Sequence, residues 1–269
     1  MKLALAQIRV EAADVAGNVD RAEAAIERAA ARGVDLVALP ELFNVGYFAF
    51  DLYARNAEGL DGETLSRLSD AALDNDVAVL AGSIVEDLGE TREQTDAYTP
   101  AEDGLANTAV LFDAEGERQL VYRKHHLFGY ESAETGLLTA GERLPVTDLG
   151  GFTVGVTTCY DLRFPEQYRE LLDRGADLVL VPSAWPYPRV EHWQTLPRAR
   201  AIENLSYVAT INGSADFEDA TLVGRSTLFD PWGTPVATTD DRPDVVYAEA
   251  DPDEIARVRD DFPALDDRR

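Results

Sequence analysis

Arg32-Gly33-Val34-Asp35-Leu36-Val37-Ala38-Leu39-Pro40 returns later in the chain as Arg174-Gly175-Ala176-Asp177-Leu178-Val179-Leu180-Val181-Pro182, with Arg, Gly, Asp, Leu, Val and Pro agreeing at six of nine positions. Each copy closes a helix with glycine, runs through small and branched apolar residues suited to a strand buried on both faces, and stops at proline. Ahead of the first copy, Lys2 to Val10 reads as a strand and Val19 to Arg32 as a helix with Asn18 as its N-cap. Ahead of the second, Phe152 to Thr158 reads as a strand and Glu166 to Arg174 as an amphipathic helix. Two similar strand-helix-strand units imply two similar sheets, each covered by helices on its outer side. The expected fold class is therefore α/β, a four-layer α/β/β/α sandwich of two mixed sheets.

Between and after the copies, the pattern predicts a helix over Thr64 to Leu73 and a strand over Val77 to Val85. It also predicts an antiparallel pair, Ala106 to Phe112 and Gln119 to Arg123, turning at Ala114-Glu115-Gly116-Glu117. A helix over Glu191 to Asn204 then leads to strands at Tyr207 to Ile211, Ser226 to Phe229, Val236 to Thr238 and Val245 to Glu249. Residues 1–269 read as one domain, with 86–105 and 125–144 as loop excursions and 252–269 as a C-terminal helix and tail. The first excursion, polar and rich in Thr, Glu and Asp, is expected to be exposed and mobile.

Fifty acidic against 24 basic residues give a formal charge of −26, which repels nucleic acid and anionic membranes. Neither is an expected partner. The acids are spread along the chain, as on a surface adapted to high salt, where screening acts over a Debye length of ~3 Å at 1 M. No apolar run reaches the ~18 residues of a membrane span and no secretion signal is visible, so a cytoplasmic location in a high-salt cytosol is expected. Arginine is the default cation; the only lysines are Lys2 and Lys124. A lysine deep in such a chain suggests a place where a compact ammonium is needed. The single cysteine, Cys159, rules out an internal disulfide framework and a multi-thiolate metal site.

Cys159 follows a predicted strand, and Phe164-Pro165-Glu166 opens the next helix, whose N-H groups would favour a nearby thiolate. A lone cysteine is usually a small buried hydrophobe. An aromatic, two charges and a proline crowded after the thiol are poor choices for a purely apolar site. Glu41 and Lys124 each follow a strand end too, so one rim of the sandwich could gather a thiol, a carboxylate base and a cation for an oxyanion. Histidine chemistry fares worse: adjacent His125 and His126 point to opposite faces in an extended chain, and no papain-like sequence surrounds Cys159 with His192 as partner. The expected role of the pair is to position the lysine.

Leu39-Pro40-Glu41-Leu42-Phe43, Tyr122-Arg123-Lys124-His125-His126-Leu127-Phe128 and Cys159-Tyr160-Asp161-Leu162-Arg163-Phe164-Pro165 resemble, in order, the three signature blocks of the nitrilase superfamily of carbon-nitrogen hydrolases. The resemblance runs from Leu3 to about Ala250. It implies the α/β/β/α fold, a homodimer and a Glu41-Lys124-Cys159 triad. It further implies a second glutamate seven residues before a glycine: Glu134 precedes Gly141 by seven, whereas Glu131 precedes it by ten. Trp185-Pro186, His192 to Leu196 and Arg198 to Asn204 are most similar to the omega-amidase-like branch, which cleaves monoamides of small dicarboxylates. Ser183-Ala184 and the acidic excursion depart from that pattern.

The chemistry so implied is acyl transfer through a Cys159 thioester with ammonia released, Glu41 as base, and Lys124 and the Tyr160 backbone N-H at the oxyanion. It needs no metal or organic cofactor. A small amide bearing a carboxylate is the expected ligand, with Trp185 and Arg189 as expected pocket residues, since so acidic a chain needs a local cation to hold an anion. An N-carbamoyl amino acid amidohydrolase, a nitrilase, an N-acyltransferase and a non-catalytic binding protein are the alternatives.

Overall fold

The computed structural model describes residues 1–130, 132–218 and 220–268. Thirteen strands among them form two mixed sheets. The first contains β1 (Lys2–Gln7), β2 (Leu36–Ala38), β3 (Ala78–Leu80), β4 (Ile84–Asp87), β5 (Leu105–Phe112), β6 (Arg118–Arg123) and β13 (Asp244–Glu249), in the order β13-β1-β2-β3-β5-β4 with β6 also on β5. The second contains β7 (Val146–Leu149), β8 (Phe152–Val156), β9 (Leu178–Ser183), β10 (Tyr207–Asn212), β11 (Thr227–Phe229) and β12 (Pro235–Thr238), ordered β12-β11-β10-β9-β8-β7.

The two sequence copies form the corresponding central strands. β2 lies parallel between β1 and β3, and β9 parallel between β8 and β10. Their glycines, Gly33 and Gly175, both take a positive φ (67° and 94°) that a side chain would resist. Alternation along β1 divides the core: Leu3 and Leu5 pack with the second sheet's Val154, Val156 and Leu180, while Ala4 and Ala6 pack with Ala22, Ile26 and Leu68. Those last residues belong to α1 (Val15–Ala30) and α2 (Glu63–Asn75), the outer layer of the first sheet. Tyr168 and Leu171 of α5 (Pro165–Asp173), with Trp193 and Ala201 of α6 (Val190–Asn204), join the second sheet's core. The result is the expected α/β/β/α sandwich. Its C-terminal helix is α7 (Pro252–Asp261), and no helix among the described residues is long and apolar enough to cross a membrane.

Three local expectations are corrected and one strand is added. Helix α1 starts at Val15 with Asp14 as its cap, accepting from Gly17 N, and Asn18 sits inside the helix. Capping would give Asn18 one bond; inside, it bonds Glu11 N, Glu11 O and Asn44 O at 2.7–2.9 Å. The strand expected over Val77 to Val85 is broken at Gly82 (φ 42°), where a Cβ would stand 1.9 Å from Pro40 O. That glycine lets the chain cross directly beneath the loop carrying Glu41.

Residues 86–105 are not one exposed loop. Glu86 is wholly buried in a two-bond ion pair with Arg123 (both 2.6 Å), and α3 (Leu88–Gln94) follows. The Thr91 and Thr108 hydroxyls complete its shell, so the polar composition serves an internal network rather than a solvated surface. The 125–144 excursion contains a short helix, α4 (Glu134–Leu137), and is followed by β7, a strand the sequence did not announce.

Candidate active site

The two repeated strands meet end to end. Beyond β2, Glu41 N bonds Ser183 O at the end of β9 (3.4 Å), and the following Ala184 N donates to Glu41 Oε2 (2.9 Å). Asn107 Nδ2 on β5 and Lys124 Nζ both donate to Glu41 Oε1 at 2.8 Å. Lys124 is placed by its own backbone, its N bonding Asn107 O and its O accepting from Gly141 N. A second 2.8 Å bond runs from Lys124 Nζ to Glu134 Oε1, and Glu134 Oε2 accepts from Tyr47 OH (3.0 Å) and Phe128 N (2.6 Å). All three charged side chains are almost completely buried. Of the two glutamates weighed for that position, Glu134 is the one against Lys124; Glu131 lies outside the described residues.

Cys159 opens a five-residue 3-10 turn (Cys159–Arg163), separated from the end of β8 by Thr157 and Thr158. Its φ of 47° is left-handed, a conformation a side-chain-bearing residue adopts only when its surroundings enforce it. Tyr160 follows within the first turn, where backbone N-H groups lack partners inside the helix.

Burial pushes the Cys159 thiol well above its usual range and the Glu41 charge pushes the same way, with Lys124 opposing. Burial likewise raises Glu41, against the pull of Lys124. For Lys124, burial favours the neutral amine, but Glu134 and Glu41 together outweigh it and hold the ammonium. Burial thus favours the neutral thiol, beside a lysine ammonium that Glu134 and Glu41 hold. Glu41, which influences the thiol directly, is a basic destination for a proton leaving sulfur, and the ammonium remains to face developing negative charge.

Cys159 and Lys124 line a cavity of about 1190 Å³ that also reaches Tyr47, Phe128, Tyr160, Trp185 and Arg189. Trp185 is almost buried; its Nε1 donates to Arg189 O (3.0 Å), so it shapes the wall and holds the loop bearing Arg189. The Arg189 guanidinium lies 5.7 Å from the Phe128 ring centroid. Arg163 lines the same cavity, 5.0 Å from the Trp185 centroid, and among the described residues neither arginine is paired with a carboxylate.

Four participants escaped sequence reasoning: Asn107, the Ala184 N-H, Tyr47 and Arg163. Arg163 stood inside the Cys159 segment but without a distinguishing neighbour, and the other three meet Glu41 or Glu134 only through distant chain segments. The histidines touch Lys124 only through the chain: His126 binds Asp161, and His125 stacks on Tyr122.

Residues 2–260 match the family described as carbon-nitrogen hydrolase. A 2-oxoglutaramate amidase of Paenarthrobacter nicotinovorans is 38% identical over 87% of this chain and 78% of its own. The human omega-amidase is 31% identical over 100% and 95%. Among solved structures, a superfamily protein of Xanthomonas campestris with an arsenic adduct in its active site superposes with a TM-score of 0.88 at 30% identity, covering 100% of this chain and 97% of its own. A mutant amidase of Nesterenkonia sp. AN1, showing Michael addition of acrylamide at the active-site cysteine, gives 0.82 at 28%, covering 98% and 99%.

Proposed function

This chain belongs to the carbon-nitrogen hydrolase family and hydrolyses non-peptide carbon-nitrogen bonds as an omega-amidase-like amidase, and from that premise we propose that Cys159 is its nucleophile, Glu41 its base and Lys124 its oxyanion cation. The observation that carries the assignment is the burial of Lys124 Nζ against both Glu41 and Glu134 at 2.8 Å on the wall shared with Cys159. Glu41 takes the Sγ proton as sulfur attacks the amide carbon, and the oxygen's charge settles on Lys124 Nζ and the Tyr160 N-H. The carbon-nitrogen bond then breaks, the proton passes from Glu41 to nitrogen, and ammonia leaves a thioester. Water, giving a proton to Glu41, attacks that thioester; the carbon-sulfur bond breaks, sulfur regains the proton and the acid departs. Glu134 keeps Lys124 aimed and charged throughout.

The substrate we infer is a small amide with a remote carboxylate, such as 2-oxoglutaramate. Support comes from the relatives' names and from two arginines, Arg189 and Arg163, facing the cavity of a protein with a charge of −26. Ammonia release is to be measured from 2-oxoglutaramate, succinamate, a neutral amide of equal length, an N-carbamoyl amino acid and an aliphatic nitrile. Preference for the carboxylate-bearing amides is expected; preference for any of the other three overturns the substrate and leaves the triad standing. We further propose a homodimer in a high-salt cytoplasm. Light scattering in molar KCl should return twice the chain mass, and a monomer mass would remove the dimer.

A further inference from the structure

We propose that Asp161 is a positioning residue that fixes the spacing between Lys124 and Cys159. The inference rests on the roles just assigned to those two residues. Asp161 is wholly buried and makes four hydrogen-bond contacts. Oδ2 takes Thr158 N (2.8 Å) and Tyr122 OH (2.6 Å); Oδ1 takes His126 N (3.0 Å) and His126 Nδ1 (2.8 Å).

Tyr122 and His126 stand two residues before and two after Lys124, and Asp161 stands two after Cys159. One carboxylate therefore bolts both sides of the lysine to the turn that carries the thiol. Its bond to Thr158 N spans Cys159 itself, closing a ring around a residue held at φ 47°. Released from that ring, Cys159 could relax to a negative φ and carry its sulfur off line. Neighbouring contacts stiffen the clamp: Gln167 Nε2 (2.7 Å) and His125 N (3.2 Å) donate to the Tyr122 hydroxyl, and the His126 ring stacks on Phe164 with centroids 3.6 Å apart.

A carboxylate is required because Thr158 N and His126 N can only donate and the Tyr122 hydroxyl, which already accepts twice, donates as well; Oδ1 then selects the His126 tautomer that carries its proton on Nδ1. An asparagine would turn two N-H groups toward some of them, donor against donor. Buried acceptors matched this fully specify geometry, and displacement of a reacting group by about 1 Å can cost roughly 100-fold in rate.

The test is steady-state ammonia release in molar KCl by Asp161→Asn, Tyr122→Phe and the double variant, each checked for a cooperative melt, with Cys159→Ala as control. Asp161→Asn should lower kcat about 10- to 100-fold while KM stays within about two-fold, the signature of lost transition-state alignment. Tyr122→Phe should lower kcat less, and the two losses should be strongly non-additive, since both open the same clamp. A folded Asp161→Asn enzyme with unchanged kcat, or strictly additive losses, overturns the proposal. Should Asp161→Asn fail to fold, an unchanged kcat in Tyr122→Phe overturns it equally. An active Cys159→Ala control would instead overturn the nucleophile assignment, so the two failures are distinguishable.

Discussion

At the scale of single residues, the site keeps a neutral thiol next to a base whose affinity for protons is already elevated. Two consequences for pH dependence follow. As the proposed base, Glu41 must be ionised, and burial lifts its pKa above the ordinary 4.5, so turnover should fall as pH drops through that raised value rather than at 4.5. The thiol sits well above its ordinary 9.0, so raising the pH from 7 to 9 should yield little free thiolate and no steep gain in rate. A kcat/KM profile that climbs tenfold per pH unit over that range would show a thiolate forming without Glu41. Lys124→Arg should cost about 10²–10³ in kcat, because a planar fork cannot replace a point charge held between two carboxylates and a forming oxyanion. An undiminished rate in that variant would remove Lys124 from the chemistry.

Among the elements, the ends of strands decide everything. Glu86, at the end of β4, is paired with Arg123, the residue before Lys124. Glu86→Ala leaves a buried guanidinium uncompensated and should lower stability by about 3–5 kcal/mol, measured by denaturant unfolding. A loss under about 1 kcal/mol would mean that the arginine finds water at no cost. Which parts of this were legible from the chain divides along physical lines. The paired copies at 32–40 and 174–182 disclosed both central strands, because an apolar run bounded by glycine and proline is a local signal. The rim positions of Glu41, Lys124 and Cys159 followed from three predicted strand ends, and Glu134 only from the family resemblance, which implies a glutamate seven residues before a glycine. The Asn18 cap misled because Asp14 satisfies the same local rule and tertiary bonds decided between them. The break at Gly82 and the burial of Glu86 were invisible because their causes, Pro40 O and Arg123, lie 42 and 37 residues away in sequence. Asn107 and Ala184 were hidden for the same reason, at separations of 66 and 143 residues from Glu41.

For the molecule as a whole, the charge of −26 sets the conditions under which the rest operates. Self-repulsion of that size favours expanded states at low ionic strength and is screened as the Debye length shrinks to ~3 Å at 1 M salt. Thermal unfolding midpoints should therefore rise from dilute buffer to molar KCl. Equal midpoints would assign the acidity to something other than salt adaptation. Screening also weakens long-range repulsion of an anionic substrate, so KM for a carboxylate-bearing amide should fall with salt while that for a neutral amide stays flat. All of this rests on one bond-forming atom, the sulfur of the only cysteine. Ammonia release from 2-oxoglutaramate by wild type and by Cys159→Ala, both shown to be folded in molar KCl, tests it most directly. The account predicts turnover by the wild type and none above background by the variant. A folded Cys159→Ala protein that keeps most of the activity would contradict it.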